Sequence, residues 1–407
     1  MREDWIRIEL GKIIKVSSGN GLTANKMSGN GYPVYGGNGI TGYHSEYLFE
    51  DPKLIIGRVG VRCGVTHITK PKSWVTDNAL VVNFKIDGFD LKFMQYKLQF
   101  ENLNKISNST AQPVISGSKI YAYTIWIPPL PEQRAIVAKI EQLFSELDNG
   151  IANLKAAKDK LEIYRQAVLK KAFEGEFEIK KIKEVCENIK VGIVIKPTQY
   201  YSIEEDGVPA FRSANVREFK IENANWVYFT KDGNRQNSRT QIKENDVLIV
   251  RSGYPGTSCV VPKKYEGSNA IDILIATPDQ RQIHAKYLCA FNNSPLGKGL
   301  FRAGSRGVAQ QHLNVGIYSN LNIPVPSIEQ QSDILQEIET RLSVCDNILT
   351  NIEEGLEKTE ALRQSILKQA FEGKLLNETE LQACRKESDW EPAEKLLSRI
   401  KLEKEKL

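Results

Sequence analysis

The sequence predicts an α+β protein in which two β-rich domains alternate with two long helices, and three observations predict it. A helix-forming block occurs twice, the intervening blocks are rich in Gly, Asn, Ser and β-branched residues, and charge is divided unequally between the two kinds of block. A chain of 407 residues has room for two domains or more, and 41% hydrophobic with 26% charged residues is ordinary globular composition.

The helical repeat comes first. Residues 138–175 align without gaps on 336–373, an offset of 198. Identities include Ile140/Ile338, Glu141/Glu339, Asp148/Asp346, Arg165/Arg363, Leu169/Leu367 and the run Ala172-Phe173-Glu174-Gly175 on Ala370-Phe371-Glu372-Gly373. In the first copy Ile140, Leu147, Leu154, Leu161 and Val168 recur every seven residues, with Phe144, Ile151 and Ala172 on a second seam. Ile338, Cys345, Ile352 and Ile366, with Leu342, Leu349, Leu356 and Ala370, repeat the pattern. Such heptads predict coiled-coil helices. Pro128-Pro129-Leu130-Pro131 punctuates the first start, Ser327 to Gln330 has capping-box spacing, and each helix ends at a glycine. A helix of about 43 residues is roughly 64 Å long, too long for one small domain to bury. The simplest partner is the other copy, paired antiparallel, which gives a pseudo-twofold internal repeat with the globular blocks at opposite ends of a rod.

The predicted organisation is a β-rich domain over 1–127, a helical spacer over 128–177, a second β-rich domain over 178–325, a second spacer over 326–376 and a charged helical tail over 377–407. The two β-rich blocks are loosely related. Ile56-Gly57-Arg58-Val59-Gly60 sits against Ile249-Val250-Arg251-Ser252-Gly253, Asn78-Ala79 against Asn269-Ala270, and Ala111-Gln112 against Ala309-Gln310. Short alternating runs between turn residues make both blocks β-rich.

Charge supplies the functional lead. The β-rich blocks carry net charges of +5 and +6, the first spacer is neutral, and the region from 326 onward is −6. Basic loop-rich domains on a neutral-to-acidic rod suit two contacts with one polyanion, leaving the rod for protein partners. The segment 296–307 interleaves Lys298, Arg302 and Arg306 with four glycines and reads as a flexible loop that follows phosphates. Further candidate nucleic-acid contacts are Asn38, Arg58, Arg62, Asn78, Arg212, Arg235, Arg239, Arg251 and Asn269. Arg58 and Arg251 stand at equivalent places and could equally hold the scaffold, and a strand-end asparagine such as Asn78 or Asn269 is also a turn former.

Chemistry of its own is not legible. Gly37-Asn38-Gly39-Ile40-Thr41-Gly42 matches a dinucleotide-binding pattern, but Tyr43-His44-Ser45-Glu46-Tyr47 continues without a helical stripe, so a glycine-rich turn between strands is the better reading. No phosphate-binding loop, adenine-gripping tetrapeptide or magnesium-chelating acidic cluster occurs. Six cysteines and four histidines are scattered without metal-ligand spacing. We therefore expect no catalytic, cofactor or metal site. The apolar runs are far shorter than the roughly 18 residues of a membrane helix, and the first residues have no apolar signal core. A cytoplasmic protein that binds no membrane is expected.

The segments PPLPEQRAIVAKIEQLF and EQQSDILQEIETRL, the Ala-Phe-Glu-Gly helix ends, the stretch Tyr35 to Tyr43 and the tail Asp389-Trp390-Glu391-Pro392-Ala393-Glu394 together resemble the specificity subunits of type I restriction-modification enzymes. The resemblance runs over nearly the whole chain. It implies that each β-rich block is a target recognition domain for one half of a bipartite site in double-stranded DNA. The helices would fix the spacing and dock methyltransferase and motor-nuclease subunits. Adenine N6 methylation with S-adenosylmethionine, and restriction with ATP and magnesium, would belong to those partners. Isolated chains could self-associate through seam residues. Two other readings stand beside it: a stand-alone nucleic-acid-binding architectural coiled-coil protein, indifferent to sequence, and an enzyme using the glycine stretch for a nucleotide.

Overall fold

The computed structural model describes residues 2–107, 113–304 and 313–405. In chain order the first domain contains β1 (Ile6–Glu9), α1 (Leu10–Ile13), β2 (Ile14–Ser18), β3 (Tyr32–Gly36), β4 (Gly39–His44), β5 (Leu54–Gly57), β6 (Thr66–Ile68), β7 (Trp74–Val75), β8 (Ala79–Phe84), α2 (Leu91–Glu101), α3 (Gly117–Ala122) and β9 (Thr124–Ile127). Helix α4 (Leu130–Lys171) follows. The second domain contains β10 (Glu178–Lys181), β11 (Cys186–Val191), β12 (Tyr201–Ser202), β13 (Val208–Phe211), β14 (Val216–Arg217), β15 (Lys220–Ile221), β16 (Val227–Phe229), α5 (Lys231–Gln236), β17 (Val247–Val250), β18 (Ser258–Val260), β19 (Asn269–Ala270), β20 (Ile273–Pro278), α6 (Ala285–Asn293), α7 (Pro295–Gly304), α8 (Val315–Ser319) and β21 (Asn322–Val325). Helix α9 (Ile328–Phe371) precedes α10 (Glu378–Arg385) and α11 (Ala393–Glu405).

The chain forms two compact units, Met1–Asn153 with Gly355–Leu407, and Leu154–Glu354. Each unit therefore holds one β-rich domain, one part of α4 and one part of α9. Within unit 1 the sheets are β2-β8-β5-β6, β4-β3-β7 and the pair β1-β9; within unit 2 they are β11-β20-β17-β18, β12-β16-β13-β19 and the pairs β14-β15 and β10-β21. The topologies correspond, with a parallel contact in each, β3 with β7 and β13 with β19, and unit 2 adds β12 at the edge of its second sheet and the β14-β15 hairpin. That match corrects one alignment. Asn269 pairs with β13 where Trp74 pairs with β3, whereas Asn78 lies beyond β7, so the two asparagines are not equivalent.

Helices and domains are joined by the same device twice. Gln133 is fully buried: its amide oxygen accepts from Asp90 N at 2.8 Å, and its amide nitrogen donates to Gly88 O and Pro128 O. Gln331, 198 positions on, does the same with His284 N, Gln282 O and Pro326 O. A buried amide with all these partners fixes the angle at which the helix leaves its domain. Beside it Lys92 meets Glu141 at 2.6 Å in unit 1, and Lys286 meets Glu339 at 2.7 Å in unit 2. The predicted capping box is formed, with Ser327 Oγ accepting from Gln330 N and Gln330 Oε1 accepting from Ser327 N.

The helix pairing is antiparallel. In unit 2 Lys158 bonds Glu353 at 3.0 Å, while Arg165, further along α4, bonds Asp346, earlier on α9. In unit 1 the twin of the second pair is Arg363 on Asp148, with the guanidinium 4.8 Å over the Phe144 ring. Seam residues Leu342, Cys345 and Ile352 are buried and Leu147, Leu154 and Leu161 half-buried, as two-stranded packing requires. Thr359 holds a seam position in unit 1 and satisfies its hydroxyl on Gly355 O at 2.8 Å. The helix ends differ: Gly373 adopts φ +73, and its carbonyl accepts from Arg2 Nε at 2.7 Å.

The expected flexible loop over 296–307 is instead helical through Gly304. Ser294 Oγ accepts from Gly297 N, and a Cβ on Gly297 would fall 2.2 Å from Phe291 O. The glycine is there for close approach to α6 rather than for freedom.

Candidate nucleic-acid interface

In the first domain close backbone approach assembles the site. Strands β3 and β4 meet at the turn Gly37-Asn38, which lies against the end of β5: a Cβ on Gly57 would fall 2.2 Å from Gly37 O, and one on Gly37 2.8 Å from Asn78 O. The glycine stretch is thus a hairpin, not a strand-to-helix nucleotide loop. His67 backs this turn, its Nε2 buried without a hydrogen-bond partner among the described residues, and burial pushes its pKa down.

Four candidates meet there. Arg62 Nη1 donates to Asn38 Oδ1 at 3.4 Å and Arg58 Nη1 to Ser18 Oγ at 3.4 Å, both long and exposed. Arg58 N donates to Asn78 O at 2.9 Å, leaving the exposed Asn78 side chain at the same edge. Two guanidinium groups and two amides on one rim can bond phosphates and base edges.

The second domain distributes its candidates differently. Arg235 on α5 is exposed and paired with Asp232, and Arg239 is exposed just beyond that helix. Arg212 is half-buried, donating to Asn225 O at 2.7 Å. Lys298 pairs with Glu218, Arg302 is exposed on α7, and Arg306 lies outside the described residues, as do Ala111-Gln112 and Ala309-Gln310.

Two candidates belong to the scaffold as placed. Asn269 is 0% exposed; its amide bonds Asn234 Oδ1 at 2.6 Å, and Thr240 donates to its oxygen. Arg251 donates to Leu313 O at 3.0 Å and pairs with Asp272. An interior amide with satisfied partners cannot turn to a ligand without breaking that network.

Sequence reasoning missed the tips beside these cations. The loops joining β5 to β6 and β17 to β18 present Val61 and Tyr254 to solvent. The signal was available, since the alignment of residues 56–60 on 249–253 stops one position short of them. Among the described residues no cluster of His, Cys, Asp and Glu could hold a metal ion, and no helix is long and apolar enough to cross a membrane.

Two β-rich units of one topology, each carrying exposed cations at a strand-loop edge and differing in the side chains presented there, define the class: a two-domain protein built on one scaffold with two surfaces. The model of the type I restriction modification DNA specificity domain matches residues 2–156 and 174–359, and the chain belongs to that family. It is similar to the type I restriction enzyme EcoBI specificity subunit of Escherichia coli, 23% identical over 99% of this chain and 93% of that protein. Its fold is shared with a chain from a structural study of complex assembly and conformational transition of the type I R-M system, at TM-score 0.71 and 17% identity over 91% of this chain and 98% of the other. The HsdS subunit of Thermoanaerobacter tengcongensis also shares it, at TM-score 0.61 and 17% identity over 92% and 98%.

Proposed function

We propose that the chain is the DNA-reading subunit of a type I restriction-modification complex, each β-rich domain recognising one half of a bipartite, asymmetric site in double-stranded DNA. The observation that carries this is the repeated scaffold with changed surfaces: corresponding sheets, helix staple and loop placement in both units, with Asn38, Arg58, Arg62 and Asn78 on one rim and Arg235, Arg239, Lys298 and Arg302 exposed or half-exposed on the other domain. One scaffold used twice with unlike contacts is what an asymmetric two-part sequence requires. Recognition domains over 1–127 and 178–325, spacers over 128–177 and 326–376, and a tail over 377–407 complete the reading.

In this reading the chain contributes no catalytic residue and no cofactor. Methyl transfer and nuclease chemistry belong to methyltransferase and motor-nuclease subunits docked on the helices. Unit 2 offers the methyltransferase a surface: a groove of about 450 Å³ lined by Ala172, Phe177, Ile334, Ile338, Glu337 and Arg341, among others. Its twin in unit 1 is covered by α10, so an amphipathic helix fits.

The deciding experiment is co-expression with the cognate methyltransferase and a map of N6-methyladenine across host DNA. A split, asymmetric motif is expected; a complete complex that methylates no motif would overturn the reading. Inserting one helical turn of four residues near Ala157 is expected to lengthen the unspecified spacer between half-sites, as the same map would show.

A further inference from the structure

The two most exposed large apolar side chains among the described residues are Val61, 88% exposed, and Tyr254, 83% exposed. Single apolar residues on a surface are ordinary. These two are not independent, because they occupy the same position in the two domains, one residue beyond the aligned runs 56–60 and 249–253.

Neither tip is a loose end. Each follows a glycine in the left-handed region, Gly60 at φ +87 and Gly253 at φ +82, and each loop closes on a second one, Gly64 at +87 and Gly256 at +93. In the first loop Gly57 N bonds Val65 O at 2.8 Å, Gly64 N bonds Gly57 O at 2.8 Å and Cys63 N bonds Gly60 O at 2.9 Å. Asn104 adds amide donors to Val61 O and Cys63 O. In the second loop Val250 N bonds Thr257 O at 2.9 Å and Gly256 N bonds Val250 O at 3.0 Å. A Cβ on Gly256 would fall 2.1 Å from the Phe301 ring, so α7, with Arg302 on it, stands behind this tip. Each loop is also tied at its base by the same strut, Ile115 N to Arg58 O at 3.0 Å and Leu313 N to Arg251 O at 3.1 Å. The backbone is held while the apolar side chain is left in water, which is the preorganised form of a contact whose partner is absent.

We propose that Val61 and Tyr254 are the base-contacting tips of the two domains, each pressed against its own half-site and helping to set which base pairs are accepted. This rests on the DNA-reading function proposed above. The cations beside the tips bring the backbone close, and the tip then meets what differs between base pairs. Valine offers only van der Waals contact, suited to a thymine methyl group in the major groove. Tyrosine can also lay its ring on a partly unstacked step and bond through its hydroxyl. One scaffold position with two side chains thus gives two preferences.

The test uses the complex of this chain with its methyltransferase, on duplexes carrying the methylated motif and on duplexes with each half-site altered in turn. Val61→Ala is expected to weaken binding roughly tenfold or more, with discrimination lost only in the first domain's half-site, and Tyr254→Ala to do so only in the second. Val61→Thr, nearly isosteric, and Tyr254→Phe separate shape from chemistry and are expected to give smaller losses in the same half-sites. The double exchange Val61→Tyr with Tyr254→Val is expected to change the methylated motif. Alanine variants within twofold of wild type with an unchanged motif would overturn the proposal, as would equal losses on both half-sites and on random duplex. A wild-type complex without any sequence preference would instead overturn the DNA-reading function itself.

Discussion

In unit 1 the surface formed by Ile136, Ala370 and Leu375 lies against α10, whose Leu381 is buried in the same core; in unit 2 the matching Ile334, Ala172 and Phe177 line an open groove. The covered side is secured at its edges. Lys139 pairs with Glu380 at 2.9 Å, Arg385 with Asp4 at 2.7 Å, and Arg134 makes a two-pronged bond to Asp389. At Lys139's position unit 2 has Glu337, which pairs with Arg341 along its own helix. The same junction is thus completed internally in one unit and left open in the other, and under the docking proposed above the reversed charge favours a partner that presents a cation where α10 presents Glu380.

Ending the chain after Leu376 attacks this contrast most severely. It removes Leu381, Leu396 and Ile400 from the unit 1 core, and at about 1.5–3 kcal/mol for each buried side chain the loss approaches the whole stability of a domain. Early thermal unfolding and rapid proteolysis of the first domain are expected; a truncated chain that melts like the full one would break the comparison. The next largest effect separates the twins. Ile136→Glu buries a charge and is expected to cost about 3 kcal/mol or more in urea denaturation. Ile334→Glu, at a half-exposed site, is expected to cost under about 1 kcal/mol while abolishing co-purification with the methyltransferase. Equal effects of the two would refute the idea that one groove is internal and the other a docking site. A smaller difference should separate the twin arginines. Arg363→Ala loses both an ion pair and the Phe144 ring face, about 1 kcal/mol, whereas Arg165 has Leu342 at the place of that ring and is expected to lose less.

The helices were the most legible part of the molecule. Their seams are long, periodic and repeated, so the pattern alone indicated two long helices and their antiparallel pairing, and the spacing of Ser327 and Gln330 indicated the cap of the second. The β-rich domains showed their class but not their register: Asn78 and Asn269 look equivalent as dipeptides, and pairing with β13 removes the match. The segment 296–307 misled through its glycines, because a glycine packed against another backbone is indistinguishable in sequence from one that bends. Candidate cations were legible as a type of residue. Whether an arginine faces water, as Arg62 does, or is tied to a carbonyl and an aspartate, as Arg251 is, depends on partners distant in sequence. The C-terminal tail read as a charged appendage, and nothing in its own pattern said that Leu381 and Leu396 complete the first domain's core.

The finest contrast lies where α2 and α6 meet a long helix. Lys92 and Lys286 hold equivalent ion pairs, which brings Lys97 into register with Phe291. Phe291 packs edge-on against Phe173, an aromatic contact in an apolar core. Lys97, 2% exposed, holds its ammonium 5.0 Å over the Phe371 ring and 2.7 Å from Glu101. Burial pulls the lysine pKa down, with Glu101 opposing, while burial and the hydrogen bond to Glu101 push Tyr123 up to about 12. A lysine whose folded pKa lies below its unfolded value makes stability rise as pH climbs through the folded value towards about 10.5. Lys97→Met keeps the volume and leaves Glu101 the Tyr123 hydroxyl at 2.8 Å. Because it leaves the largely buried Glu101 carboxylate without its cation, it is expected to destabilise unit 1 at pH 7 by about 1–3 kcal/mol, and to flatten the rise between pH 7 and pH 9.5, above which tyrosine ionisation intervenes. Urea denaturation at the two pH values reads the result. A loss on that scale would mean that the two units hold their equivalent junctions by charge in one case and by aromatic packing in the other, whereas an unchanged or more stable variant would refute that contrast.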